Sequence, residues 1–145
     1  MADKQYDDAL RTLALIESQL LAPGTFVSYG DVCEGLGYKR SKHARHVGQV
    51  CSLIDAACFW AKLPFLSAEK VRTDAGEYNP ESFSGIWEPH KQALINNAST
   101  HVWTVEDIQK IRSNLRHMND EGALLQWERI ERFGQKGIDR ALSHR

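Results

Sequence analysis

Four cations fall within eight residues: Lys39, Arg40, Lys42 and Arg45 lie in the stretch 39–46, which holds no Asp or Glu. Ammonium and guanidinium groups at this density are suited to phosphate, since each can neutralise a phosphate oxygen and release a condensed counterion. Ser41, His46 and Gln49 add a hydroxyl, an imidazole and an amide, side chains that position a protein on a nucleic-acid backbone or read base edges. The chemistry predicted for this segment is binding of double-stranded DNA, without a catalytic group.

The remaining reactive side chains are less organised. Cys33, Cys51 and Cys58 are an odd number with no Cys-x-x-Cys pair, which predicts reduced thiols. All three fall on apolar faces, where inert core thiols are expected. His43 and His46 are three apart, but no carboxylate or Cys completes a metal set at recognisable spacing, so neither metal nor cofactor is expected. His90 and His101 lack a neighbouring Ser or Cys nucleophile pattern, and Glu81, Glu88 and Asp107 form no acid-base signature. Trp60, Trp87, Trp103 and Trp127 are scattered rather than interleaved with cations, which makes them core or interface anchors before base-stacking platforms.

The elements that must carry the cations follow from periodicity. Tyr6, Leu10, Leu13, Ile16 and Leu20 recur at helical spacing over 4–21, and Ala22-Pro23-Gly24 ends that helix. Thr25-Phe26-Val27 is β-prone, Ser28 caps a brief helix to Leu36, and Gly37 closes it. Ser41 then caps a helix running to about Trp60. At 100° per residue, Ala44, Val47, Cys51, Ile54 and Cys58 share its inner sector. Lys42, Arg45, Gln49 and Ser52 lie opposite, with His46 at the edge. Two helices joined by a short basic turn make a helix-turn-helix, whose second helix reads DNA with its N-terminal half. A solvated basic face has the same charge; the position of the cations in the motif favours recognition.

Downstream, Phe65–Arg72 followed by Thr73-Asp74-Ala75-Gly76 predicts a strand entering a tight turn, the start of a wing hairpin. A short helix is expected within Trp87–Asn97. A better marked one begins at Thr104, where Thr104 and Asp107 make a capping-box pattern and Ile108, Ile111 and Leu115 share a face. A last helix over about Asp120–Arg132 places Leu124, Trp127 and Ile130 together, and Gly134 and Gly137 weaken the tail after it.

With 145 residues, 42% of them hydrophobic and 26% charged, the chain has the composition of one globular domain, not of a disordered, collagen-like or coiled-coil protein. No run approaches the roughly 20 apolar residues of a membrane span, and the polar, acidic start MADKQYDD is unlike a signal peptide, so a cytoplasmic protein is expected. The formal charge of -1 argues against nucleic acid only as a total. Residues 1–38 carry two basic and six acidic groups, whereas 39–46 carry four basic groups and none acidic.

Three segments carry a resemblance: Gly24-Thr25-Phe26-Val27-Ser28-Tyr29-Gly30-Asp31-Val32, then Gly35-Leu36-Gly37-Tyr38, then Ala44-Arg45-His46-Val47-Gly48-Gln49-Val50. Together they resemble the DNA-binding half of the alkylguanine-DNA alkyltransferases and alkyltransferase-like proteins, over roughly residues 5–72. The resemblance implies a winged helix that docks in the minor groove, with Arg45 occupying the space left by a flipped nucleotide and Tyr29 helping to rotate its phosphate. Where the alkyltransferases have Pro-Cys-His-Arg, this chain reads Pro64-Phe65-Leu66-Ser67, without the Cys that accepts the alkyl group. Alkyl transfer is therefore not expected.

The fold predicted is mainly α with a small β wing: a winged helix-turn-helix over 1–80, and a helical extension over 81–145 packed on it as one compact unit. The function expected is non-catalytic DNA binding through Tyr29, Lys39, Arg40, Ser41, Lys42, Arg45, His46 and Gln49, with damaged or modified bases read by nucleotide flipping. The alternative is a regulatory or inhibitory protein-interaction module, with a protein partner or a second copy bound through the C-terminal helices.

Overall fold

Tyr6, Ala9, Leu13 and Ile16 are fully buried at three- and four-residue spacing, and the helix they imply, α1, spans Ala2–Gln19. The computed structural model describes residues 2–19, 24–38, 44–73, 85–121, 132 and 134–142. In chain order α1 is followed by β1 (Val27–Ser28), α2 (Tyr29–Gly35), α3 (Ala44–Trp60), α4 (Leu66–Lys70) and β2 (Val71–Arg72). A 3-10 helix (Gly85–His90), α5 (Lys91–Thr100), α6 (Val105–Glu121) and α7 (Gln135–Leu142) complete the described elements. The molecule is mainly helical, with a two-stranded parallel sheet in which Val27 pairs with Val71 and Ser28 with Arg72.

The centre is a three-helix packing of α1, α3 and α6. Helix α3 is the axis of the core: from Val50 to Phe59 only Ser52 keeps partial exposure. Ile108, Ile111, Leu115 and Met118 of α6 close the other side, and Arg112 pairs with Glu17 of α1 at 2.8 Å across the rim. The helix expected from Thr104 begins there, with the Asp107 amide donating to Thr104 Oγ1 and the Thr104 amide to the Asp107 carboxylate, both at 3.2 Å. One continuous buried cluster runs from Tyr6 to Ala141, so residues beyond 81 share the core with those before it.

Two expectations need correction. Residues 66–70 of the anticipated strand are the short helix α4, and only Val71 and Arg72 are extended, paired in parallel with β1. The cause is a cap from outside the segment. Asp55 of α3, fully buried, accepts the Ser67 amide at 3.0 Å and the Ser67 hydroxyl at 2.6 Å, which satisfies the first turn of a helix in the core. The second strand of the expected hairpin, together with most of the expected helix over 120–132, lies outside the described residues. The tail, in turn, is helical: Gly137, Ile138 and Ala141 are buried as α7 packs on α5 and the 3-10 helix. That burial outweighs the roughly 1 kcal/mol helix penalty of a glycine.

Candidate nucleic-acid interface

Helix α2, the first helix of the predicted helix-turn-helix, is fixed at both of its ends. At its start, Ser28 Oγ accepts the Asp31 amide at 3.1 Å while the Asp31 carboxylate accepts the Ser28 amide at 3.4 Å, a complete capping box. At its end, the Gly37 amide reaches the Glu34 carbonyl at 3.1 Å and the Tyr38 amide reaches that of Cys33 at 2.9 Å. This is a Schellman turn, and it requires the left-handed backbone that Gly37 supplies at φ +83. It aims Tyr38 back towards α1, where its hydroxyl meets Asp8.

Helix α3 resumes at Ala44, and its inner face is the predicted one: Val47, Cys51, Ile54 and Cys58 are wholly buried. Near its N-terminal end Gln49 is exposed and His46 and Ser52 are partly so, and at its other end Trp60 is partly exposed. Gln49 Oε1 accepts the Gln5 side-chain amide of α1 at 3.0 Å, and the Ser52 hydroxyl bonds back to the Gly48 carbonyl at 3.1 Å. Lys39, Arg40, Ser41 and Lys42 lie outside the described residues, as does the side chain of Arg45, whose backbone is in the first turn of α3. Tyr29 opens α2 and is only 8% exposed, so its ring is a core element with little more than an edge at the surface.

The feature that sequence reasoning missed is Asp8. This α1 carboxylate is 3% exposed and accepts two short hydrogen bonds at one oxygen, from the Tyr38 hydroxyl at 2.6 Å and from His46 Nε2 at 2.7 Å. A carboxylate only accepts, so Nε2 carries a proton here. The Tyr38 and His46 rings meet edge to face at 5.4 Å, and Lys4 Nζ stands 4.9 Å from the centre of the Tyr38 ring. Arg11, one turn along α1, approaches the other Asp8 oxygen at 3.6 Å and donates to the Gly35 and Leu36 carbonyls at 3.1 and 3.4 Å, capping the end of α2. Burial, and after it the hydrogen bond to Asp8, raises the Tyr38 phenol above its ordinary value, so the hydroxyl remains a donor. His46, expected to face DNA, is thus turned towards α1. Nothing local in the sequence distinguished Asp8 from the other acids of the N-terminal segment.

Elsewhere the reactive groups are absorbed by structure. Cys33, Cys51 and Cys58 are buried and outside any disulfide. Burial, with the Asp55 carboxylate second, pushes the Cys58 thiol well above its usual range, which disfavours a nucleophilic thiolate. His101 Nε2 lies 2.9 Å from Asp107, the carboxylate that caps α6, and its ring packs 4.5 Å from that of Trp103. Trp87 and Trp103 are core anchors, at 3% and 5% exposure. Among the described residues no group of three His, Cys, Asp or Glu side chains is arranged to hold a metal, and no helix is long and apolar enough to cross a membrane. No family model, no curated protein and no solved structure matches the chain.

Proposed function

We propose that this chain is a non-catalytic, cytoplasmic DNA-binding protein that docks a duplex through α2, the basic stretch 39–45 and the N-terminal turn of α3, in the manner of an alkyltransferase-like winged helix. The observation that carries the reading is the coincidence of charge and exposure. The strongest local excess of cations in the chain, four in eight residues without an acid, immediately precedes and enters α3 at the end where Gln49 is exposed and His46 partly so. A helix N-terminus also favours phosphate through its dipole and its unpaired amides, so the backbone adds to the side chains there. In this reading Arg45 and Tyr29 act on a flipped nucleotide as the resemblance implies. The alternative, a protein-interaction module, has one observation in its favour: Val102 and Val105 stand 73% and 50% exposed between α5 and α6.

Fluorescence anisotropy with a labelled duplex, titrated from low to physiological salt, separates the two. DNA binding predicts an affinity that falls steeply with salt, and Lys39→Ala and Lys42→Ala should each make the slope of log K against log salt shallower by roughly one. No binding to any duplex at low salt overturns the reading and leaves the protein-partner alternative.

A further inference from the structure

We propose that Phe26, backed by the Arg72 guanidinium, is a stacking platform for an unpaired base, so that the protein takes single-stranded DNA alongside the duplex. This rests on the DNA-binding reading above and adds to it a site for the strand where pairing ends.

Phe26 is 44% exposed, the most exposed Phe, Tyr or Trp among the described residues. An aromatic ring left in water forgoes the gain of burial, and this one is not held out by a loose segment. Both of its neighbours are pinned. Before it, Lys70 Nζ donates to the Thr25 carbonyl and to the Thr25 hydroxyl, each at 3.4 Å. After it, Val27 pairs with Val71 in the parallel sheet. Gly24, at φ +78, brings the chain into this segment through a left-handed turn that favours glycine. Lys70 has no exposed surface, and a buried ammonium is unfavourable unless partners surround it. Glu69 at 3.6 Å supplies one partner and Thr25 the other, so a charge in the core fixes the backbone beside an exposed ring.

The Arg72 guanidinium carbon stands 4.1 Å from the centre of the Phe26 ring, a cation–π contact. Arg72 pairs with Ser28 and follows Val71, so the sheet register brings both members of the stack together. A guanidinium covers one face of a ring, and the exposure of Phe26 leaves ring surface for a second flat group. A base fits that description: every base has a π-face, and the cation beside the ring attracts the phosphate that each nucleotide carries. Exposed aromatic rings next to cations are how proteins hold single strands without reading their sequence. Phe26 also lies three positions before Tyr29, which opens α2, the helix that the DNA-binding reading sets against the duplex.

Anisotropy titrations of the full-length protein compare a blunt duplex, the same duplex with a single-stranded overhang of about six nucleotides, and the single strand alone. The overhang should tighten wild-type binding roughly fivefold, the effect of one stacked base. Phe26→Leu keeps apolar bulk but cannot stack, so it should lose that gain while binding the blunt duplex as wild type does. Phe26→Tyr keeps the ring and should retain the gain. An iodouracil placed in the overhang and irradiated in the wild-type complex should cross-link to Phe26, read by peptide mass spectrometry. That arm needs no variant, and it decides the matter even where Phe26→Leu does not fold. No gain from the overhang in wild type overturns the platform and leaves duplex binding standing. A gain that survives in Phe26→Leu, or cross-linking confined to other residues, overturns the role of Phe26. Binding of the single strand that Phe26→Leu weakens, with no binding of either duplex, overturns the duplex reading and supports the platform. No binding of any probe overturns both.

Discussion

Arg45 carries the part of the proposal that goes beyond phosphate binding. Its guanidinium can stack on an exposed base and stand in for the neighbour that a flipped nucleotide removes, offsetting an unstacking cost of a few kcal/mol. That offset matters most where a base leaves the helix readily. Arg45→Ala should therefore weaken binding to a plain duplex by about as much as Lys42→Ala, and by a further factor of about ten on a duplex carrying an alkylguanine or a mismatch. Anisotropy titrations on matched and lesion-containing duplexes check this; equal losses on both would sink nucleotide flipping and leave phosphate binding intact. At this scale the sequence displayed the cations plainly, because an acid-free run needs no fold to be noticed. Asp8 was not legible, since its significance lies in hydrogen bonds to residues 30 and 38 positions away that only folding creates. The same bonds turn His46 away from the role its type and position suggested.

The two turns that end α2 and α3 are built alike but with different residues at the critical position. After α3, the Lys62 amide bonds to the Phe59 carbonyl at 3.1 Å and the Leu63 amide to that of Cys58 at 2.9 Å, the pattern that Gly37 and Tyr38 make after α2. Here the left-handed residue is Lys62, at φ +59, where a side chain is disfavoured. Lys62 is exposed, so little packing is at stake. Lys62→Gly should stabilise the protein by about 0.5–1 kcal/mol, and Gly37→Ala should destabilise it by a similar amount, both read from thermal or urea unfolding. A loss of stability in Lys62→Gly would mean that the side chain contributes more than the strained backbone costs. Helices α1 and α3 were readable from their apolar period, and α2 and α6 from capping boxes at their own first turns. Helix α4 was not, because the carboxylate that caps it comes from Asp55, twelve residues upstream on another helix. Such a cap leaves no trace in the local pattern, and Phe65, Leu66 and Ala68 read as well for a buried strand as for a buried helix.

For the whole molecule, the charge that matters to stability lies in the core rather than in the basic stretch. Two buried groups bind protons differently in the folded and unfolded chain, with opposite consequences. Burial raises the Tyr6 phenol to about 12. Between its ordinary value near 10 and that raised value the unfolded chain gives up this proton while the folded one retains it, so stability falls as the pH climbs through that window. Burial lowers the Lys70 ammonium, opposed by its pairing with Glu69 at 3.6 Å. Just below its ordinary value of 10.5 the unfolded chain holds more of that proton, so this group makes stability rise with pH until both states are neutral. The Tyr6 effect can be isolated because, among the described residues, nothing pairs with its hydroxyl. Removing a buried, unpaired hydroxyl relieves a desolvation cost, so Tyr6→Phe should be as stable as wild type at pH 7, or more stable by up to ~1 kcal/mol. It should also lose the Tyr6 share of the decline above pH 10, which melting temperatures across pH 7 to 11.5 would show as a widening advantage over wild type. A variant less stable at pH 7 by more than about 2 kcal/mol would instead place a hydrogen-bond partner on that hydroxyl, and the point where α1 meets the core would then be held by a polar interaction rather than by packing.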